Sequence, residues 1–153
     1  MPEFARLAAC LTILEIFLFF DMAVDGRWAL HSKLIQFSLH FGFYEQRRTI
    51  QIVGLATASA ALLFGMTMIA HRLRGKWFAI VAGWSALLSV ATWCTELVSL
   101  HEIDAILCHK VSGFMVIAFV WMTLGATTAI SLQLEAWNAG HAIDINQGCP
   151  AGG

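Results

Sequence analysis

The stretch WFAIVAGWSALLSVATWCTELVSL, residues 77–100, is followed by HEID at 101–104 and decides the fold. It is long and apolar enough to cross a bilayer, which takes roughly 20 residues. Within it Ser85, Ser89, Thr92, Glu96 and Ser99 recur at alternating spacings of four and three, which brings them to one side of a helix. The opposite positions Ile80, Leu87, Leu88 and Val98 are apolar. A seam of hydroxyls and one carboxyl cannot face lipid, so other helices or a polar cavity must cover it. The sequence therefore predicts an all-α integral membrane protein in which further spans close around this one.

Composition agrees. Of 153 residues, 59% are hydrophobic and 12% charged, and the mean hydropathy is +0.73, whereas soluble domains carry about 25% charged residues. A formal net charge of -1 provides no basic footprint for a phosphate backbone, which excludes nucleic acid as a partner. The four cysteines, at 10, 94, 108 and 149, form no C-x-x-C pair, so neither zinc-ribbon nor haem-attachment spacing is present. Prolines stand only at positions 2 and 150, leaving the interior free of helix breakers. With Glu3 and Arg6 at its start and no small-residue cleavage site at its end, the first apolar run is expected to be a span, not a cleaved signal.

Outward from the seam, spans are expected near 4–24, 50–70, 77–100 and 111–131, so that residues 1–132 form a four-helix transmembrane domain. Residues 26–49 carry Arg27, Lys33, Arg47 and Arg48 and are too polar to cross. Leu30, Leu34, Phe37, Phe41 and Tyr44 fall on one helical face with Lys33, Gln36 and His40 on another, the pattern of an amphipathic helix in the headgroup region. The alternation of Phe37, Leu39, Phe41 and Phe43 with small or polar residues suits a strand equally. The short hairpin His71–Lys76 makes the second and third spans antiparallel neighbours. Residues 133–153 read as a polar C-terminal tail, irregular unless a partner orders it. Basic residues are nearly balanced across the membrane, and the charge density of the hairpin places both termini inside. A bacterial-type inner membrane is the expected location.

Candidate functional groups fall into three sets. Glu15 lies near the middle of the first span, where a carboxyl is costly and marks an interhelical partner, a ligand or a proton path. With Ser85, Ser89, Thr92 and Glu96 it makes up the intramembrane polar set. A second set, Gly54, Ala58, Ala61 and Gly65 on the second span and Ala118, Gly125 and Ala129 on the fourth, forms small-residue stripes that let backbones approach closely. The third set is a rim. Asp21, Asp25, Glu96, His101, Glu102, Asp104 and His109 should converge at one membrane face, with His31 and His40 above them. Within this rim Glu96, His101, His109 and His40 are the candidate ligands for a metal or cofactor, since mixed carboxylate and imidazole donors suit zinc or non-haem iron. Glu-x-x-His pairs of a di-iron bundle are missing, and no histidine sits deep enough for a bis-histidine haem.

Function follows less directly than fold. The expected role is a small non-catalytic subunit that packs into a larger membrane complex, bioenergetic complexes being one such class, with the bilayer and other membrane subunits or further copies of itself as partners. No cofactor is required by the sequence, and nothing in it demands catalysis. Two alternatives use the polar groups: an electron-transfer protein holding haem, chlorophyll or non-haem metal at the rim, and a proton-coupled transporter acting as an oligomer through Glu15.

Overall fold

The computed structural model describes residues 2–24, 26–98, 107–111 and 114–147. Its helices are α1 (Pro2–Val24), α2 (Gly26–His40), α3 (Arg47–Arg72), α4 (Trp77–Val98) and α5 (Val116–Gln147), with a 3-10 turn at Tyr44–Gln46 before α3. A short antiparallel ladder of β1 (Lys110–Val111) and β2 (Phe114–Met115) leads into α5. Four helices are long and apolar enough to span a membrane: Phe4–Val24, Arg48–Arg72, Trp77–Val98 and Val116–His141.

Local chemistry explains the boundaries. Proline at the start of α1 loses no hydrogen bond, because the first helical N–H groups have no intrahelical partner. After α2 the chain reverses through Gly42 at φ 72°, and between α3 and α4 through Gly75 at φ 87°, a backbone region that only glycine enters without steric cost. The second turn is tight. Leu73 N–H donates to Ile69 O at 2.9 Å and Lys76 N–H to Leu73 O at 2.9 Å, so α3 and α4 are antiparallel neighbours.

α4 is the central helix and packs against α5, α3, α1 and α2. Its buried positions are Ala79, Ile80, Ala82, Gly83, Ser85, Ala86 and Ser89, nearly all small, which is how membrane helices achieve close backbone approach when lipid is as apolar as leucine. Ala82 and Ala86 form a core with Leu11, joined by Leu7 and Leu14 of α1 and Leu132 of α5. α3 lies outside: none of its most apolar window is buried.

The first three helices of spanning length cover Phe4–Val24, Arg48–Arg72 and Trp77–Val98, against spans expected near 4–24, 50–70 and 77–100, of which residues 99 and 100 lie outside the described residues; the fourth departs at both ends. Its helix begins at Val116, because Lys110 and Val111 pair with Met115 and Phe114. At the other end the helix continues to Gln147, through residues expected to be an irregular tail. Leu134, Glu135, Ala136 and Trp137 follow the apolar run without interruption, and leucine, glutamate and alanine are good helix formers. At 32 residues α5 is about 48 Å long, so it outreaches a hydrocarbon layer about 30 Å thick. Over residues 26–40 the chain is a helix and not a strand. Its 15 residues extend about 22 Å, too short to cross, and Leu30, Leu34 and Phe37 remain exposed, as does Phe41 just beyond.

Gly83 tests the α3–α4 contact. A Cβ there would sit 3.0 Å from Ile69 Cγ2 and 3.1 Å from its Cδ1, so Gly83→Leu is expected to push α3 off α4 and destabilise the protein by about 1–3 kcal/mol. Unfolding midpoints in mixed micelles check this. An unchanged midpoint would mean that the two helices do not meet through Gly83.

Candidate functional site

The seam of α4 meets α1 and α5. Ser89, 0% exposed, donates from Oγ to Glu15 Oε1 at 3.3 Å, and Thr128 Oγ1 on α5 donates to the same oxygen at 3.1 Å. One carboxyl oxygen thus joins three helices. Thr128 Oγ1 also lies 3.1 Å from Leu124 O, so two acceptors compete for its single proton. A turn earlier on α4, buried Ser85 donates to that same Leu124 carbonyl at 2.8 Å. Around Glu15 the positive charge is sparse: α5 contains no Lys or Arg and α1 only Arg6.

Further along α4, Glu96 Oε1 accepts from Trp121 Nε1 of α5 at 2.8 Å, and Trp93 Nε1 donates to Asp21 Oδ2 of α1 at 2.7 Å. Trp84 Nε1 reaches Met66 O of α3 at 3.0 Å. The last carbonyls of a helix lack intrahelical donors, and here two neighbours supply them. His31 Nδ1 of α2 donates to Leu97 O at 2.9 Å, and Gln51 Nε2 of α3 donates to Val98 O at 2.9 Å. α4 is therefore hydrogen-bonded to every other described helix.

The predicted candidates divide among different surroundings. Ser85, Ser89 and Glu96 bond across helices, whereas Thr92 turns back to Leu88 O of its own helix at 2.9 Å. Gly65 packs inside the chain, its Cβ position 3.2 Å from Leu87 Cδ1. Gly54, Ala58 and Ala61 are exposed, with nothing within 4 Å of a Cβ built on Gly54. Ala118, Gly125 and Ala129 line a groove between α5 and α1, with Glu15 in its wall.

The rim set does not assemble among the described residues. No three His, Cys, Asp or Glu side chains there form a group able to hold a metal ion. Glu96 is held by Trp121. His109 is exposed just before β1, and His40 is exposed at the end of α2, its ring centroid 5.1 Å from that of Phe41. Ser99, Asp25, His101, Glu102 and Asp104 lie outside the described residues.

Sequence reading did not identify Trp84, Trp93, Trp121, His31 and Gln51 as hydrogen-bond donors between helices. A signal existed for the tryptophans, since an indole N–H in an apolar span needs a partner. The identity of that partner depends on helix packing.

What the cluster can do chemically is hold helices together through a carboxyl and two hydroxyls. Glu15→Gln keeps an acceptor and is expected to leave stability nearly unchanged. Glu15→Leu removes two interhelical bonds worth about 0.6 kcal/mol each and should cost on the order of 1 kcal/mol. Denaturation in mixed micelles measures both, and a Glu15→Leu protein as stable as the parent would refute the clamp. No family model, curated protein or solved structure matches this chain.

Proposed function

We propose that the protein is a small non-catalytic membrane subunit that works by lateral association with another membrane protein or with further copies of itself. The observation that carries this reading is the division of surfaces. The described polar groups of the seam, Ser85, Ser89, Thr92 and Glu96, find partners within the chain, whereas the small residues Gly54, Ala58 and Ala61 on α3 stay uncovered along a helix of membrane-spanning length. Small residues on such a helix let a second backbone approach closely, and packing of this kind drives association where lipid offers no hydrophobic gain.

α2 fits the same role. Its length keeps it from crossing, and its exposed Leu34 and Phe37 suit a position in the headgroup layer beside the assembly. α5 is longer than the hydrocarbon layer is thick, and near its C-terminal end it exposes Trp137, stacked on His141 with ring centroids 5.4 Å apart, as a further contact. A bacterial-type inner membrane is the proposed setting.

Gly54 and Gly65 separate assembly from folding. Gly54→Leu meets nothing inside the protein, so its unfolding midpoint should stay within about 0.5 kcal/mol of the parent while the native complex, sized by mass spectrometry from lipid nanodiscs, is lost. Gly65→Leu strikes Leu87 and should lower stability as well. Glu15→Gln should keep the assembly. If Gly54→Leu left the assembled mass unchanged, association through α3 would be wrong. If Glu15→Gln left the complex intact and abolished a proton-coupled flux in proteoliposomes, the transporter reading would take its place.

A further inference from the structure

Arg72, Arg74 and Lys76 stand close together in the chain at the hairpin between α3 and α4. All three are exposed, and none pairs with an acidic side chain among the described residues. No Asp or Glu occurs from residue 46 to residue 95, so the hairpin and the helices beside it supply no counter-charge of their own. α5 runs back along α4, from Trp121 beside Glu96 to Leu132 beside Ala82, and so brings half-buried Glu135 toward this membrane face. That carboxylate bonds to none of the three cations.

Directly after Lys76 an apolar row descends α4. Trp77, Val81, Trp84 and Leu88 recur at spacings of four, three and four, which makes one helical face, and they are 73%, 39%, 36% and 39% exposed. The indole N–H of Trp84 is spent on Met66 O of α3, so the row presents no unsatisfied polar group. From Trp77 to Leu88 it extends about 16 Å, against about 15 Å for one leaflet of a hydrocarbon layer about 30 Å thick. A row one leaflet deep that starts at a cluster of cations matches a single phospholipid in length and in polarity.

We propose that the α3–α4 hairpin is a binding site for an anionic phospholipid of the surrounding bilayer. Its head group meets Arg72, Arg74 and Lys76, and an acyl chain lies along Trp77, Val81, Trp84 and Leu88. Charge complementarity selects the head group. Each Lys or Arg beside an anionic membrane surface is worth about fivefold in affinity, whereas a zwitterionic lipid carries its own ammonium beside the phosphate. The apolar row favours a lipid over free phosphate, which has no hydrocarbon to lay on it, and Trp77 at its start suits the depth of the head groups. This site is independent of association through Gly54, which lies toward the other end of α3.

The test uses the full-length protein in micelles of a neutral detergent containing equimolar dioleoyl phosphatidylglycerol and dioleoyl phosphatidylcholine, with bound lipid counted by native mass spectrometry. Phosphatidylglycerol adducts are expected to exceed phosphatidylcholine adducts by more than the roughly fivefold share of one cation. Combining Arg72→Gln, Arg74→Gln and Lys76→Gln should erase that excess without moving the unfolding midpoint, because the three side chains are exposed and unbonded. Arg72→Lys with Arg74→Lys should keep the preference. So should Lys33→Gln with Arg48→Gln, which removes exposed cations at the opposite membrane face. A phosphatidylglycerol bearing a diazirine at the end of one acyl chain should label α4 near Leu88. Four results would overturn the proposal: a preference below about fivefold, which makes the row an ordinary lipid contact; a preference that survives the triple substitution, which places the lipid elsewhere; displacement by glycerol 3-phosphate as effective as by phosphatidylglycerol, which makes the hairpin a free-phosphate site; or crosslinks between Val81→Cys residues of two copies, which make the row a protein interface.

Discussion

A carboxyl in the middle of a hydrocarbon layer needs partners, and the arrangement of the three inner helices depends on supplying them to Glu15. Ser89 of α4 and Thr128 of α5 both donate to its Oε1. Meeting that requirement brings α1, α4 and α5 together at one depth and one rotation, since a side chain reaches a fixed point on its neighbour only in one register. The individual bonds are modest, about 0.6 kcal/mol on average in membrane proteins, so their larger effect is on geometry. Close packing of Leu11 with Ala82 and Ala86 then holds the arrangement through contact area.

The same logic repeats along α4. Small residues allow its neighbours to approach, and each neighbour is secured by a polar group: Asp21 by Trp93, Trp121 by Glu96, Met66 O by Trp84. Its final carbonyls are closed by His31 and Gln51, which ties α2 and α3 to the end of the helix. The tryptophans here combine two functions that lipid makes inseparable, since a large apolar ring and an N–H donor enter the bundle together and both must be satisfied. The named polar groups of α4 are thus taken up within the chain, while Trp77, Val81, Trp84 and Leu88 stay exposed along the helix.

Two parts of the outer surface differ in shape. On α3 the small residues Gly54, Ala58 and Ala61 are exposed beside larger side chains such as Val53, Leu63 and Phe64. Between α1 and α5 the surface is concave and mostly apolar, with Glu15 in its lining. α1 takes part in both the internal clamp and the groove, because Glu15 accepts from Ser89 and Thr128 and also lines the groove. The groove and the exposed small residues of α3 are on separate helices.

The sequence by itself determined the class, the number of spans and the polarity of the central helix. Those depend on run length and on the spacing of Ser85, Ser89 and Glu96, which a helix turns into a face regardless of what surrounds it. It also singled out Glu15 from cost alone, without naming its partners. It did not reveal the short strand pair before α5 or the continuation of α5 to Gln147, because weak local preferences at a span end do not mark where helix gives way to other structure. Only the tertiary structure decided that Thr92 bonds within its own helix while Ser89 crosses to another, that Gly65 packs on Leu87 while Gly54 stays open, and that Glu15 meets Ser89 and Thr128 through the same oxygen. Such distinctions depend on the relative rotation and depth of helices far apart in the chain, and a single helix's periodicity carries no information about its neighbour's orientation.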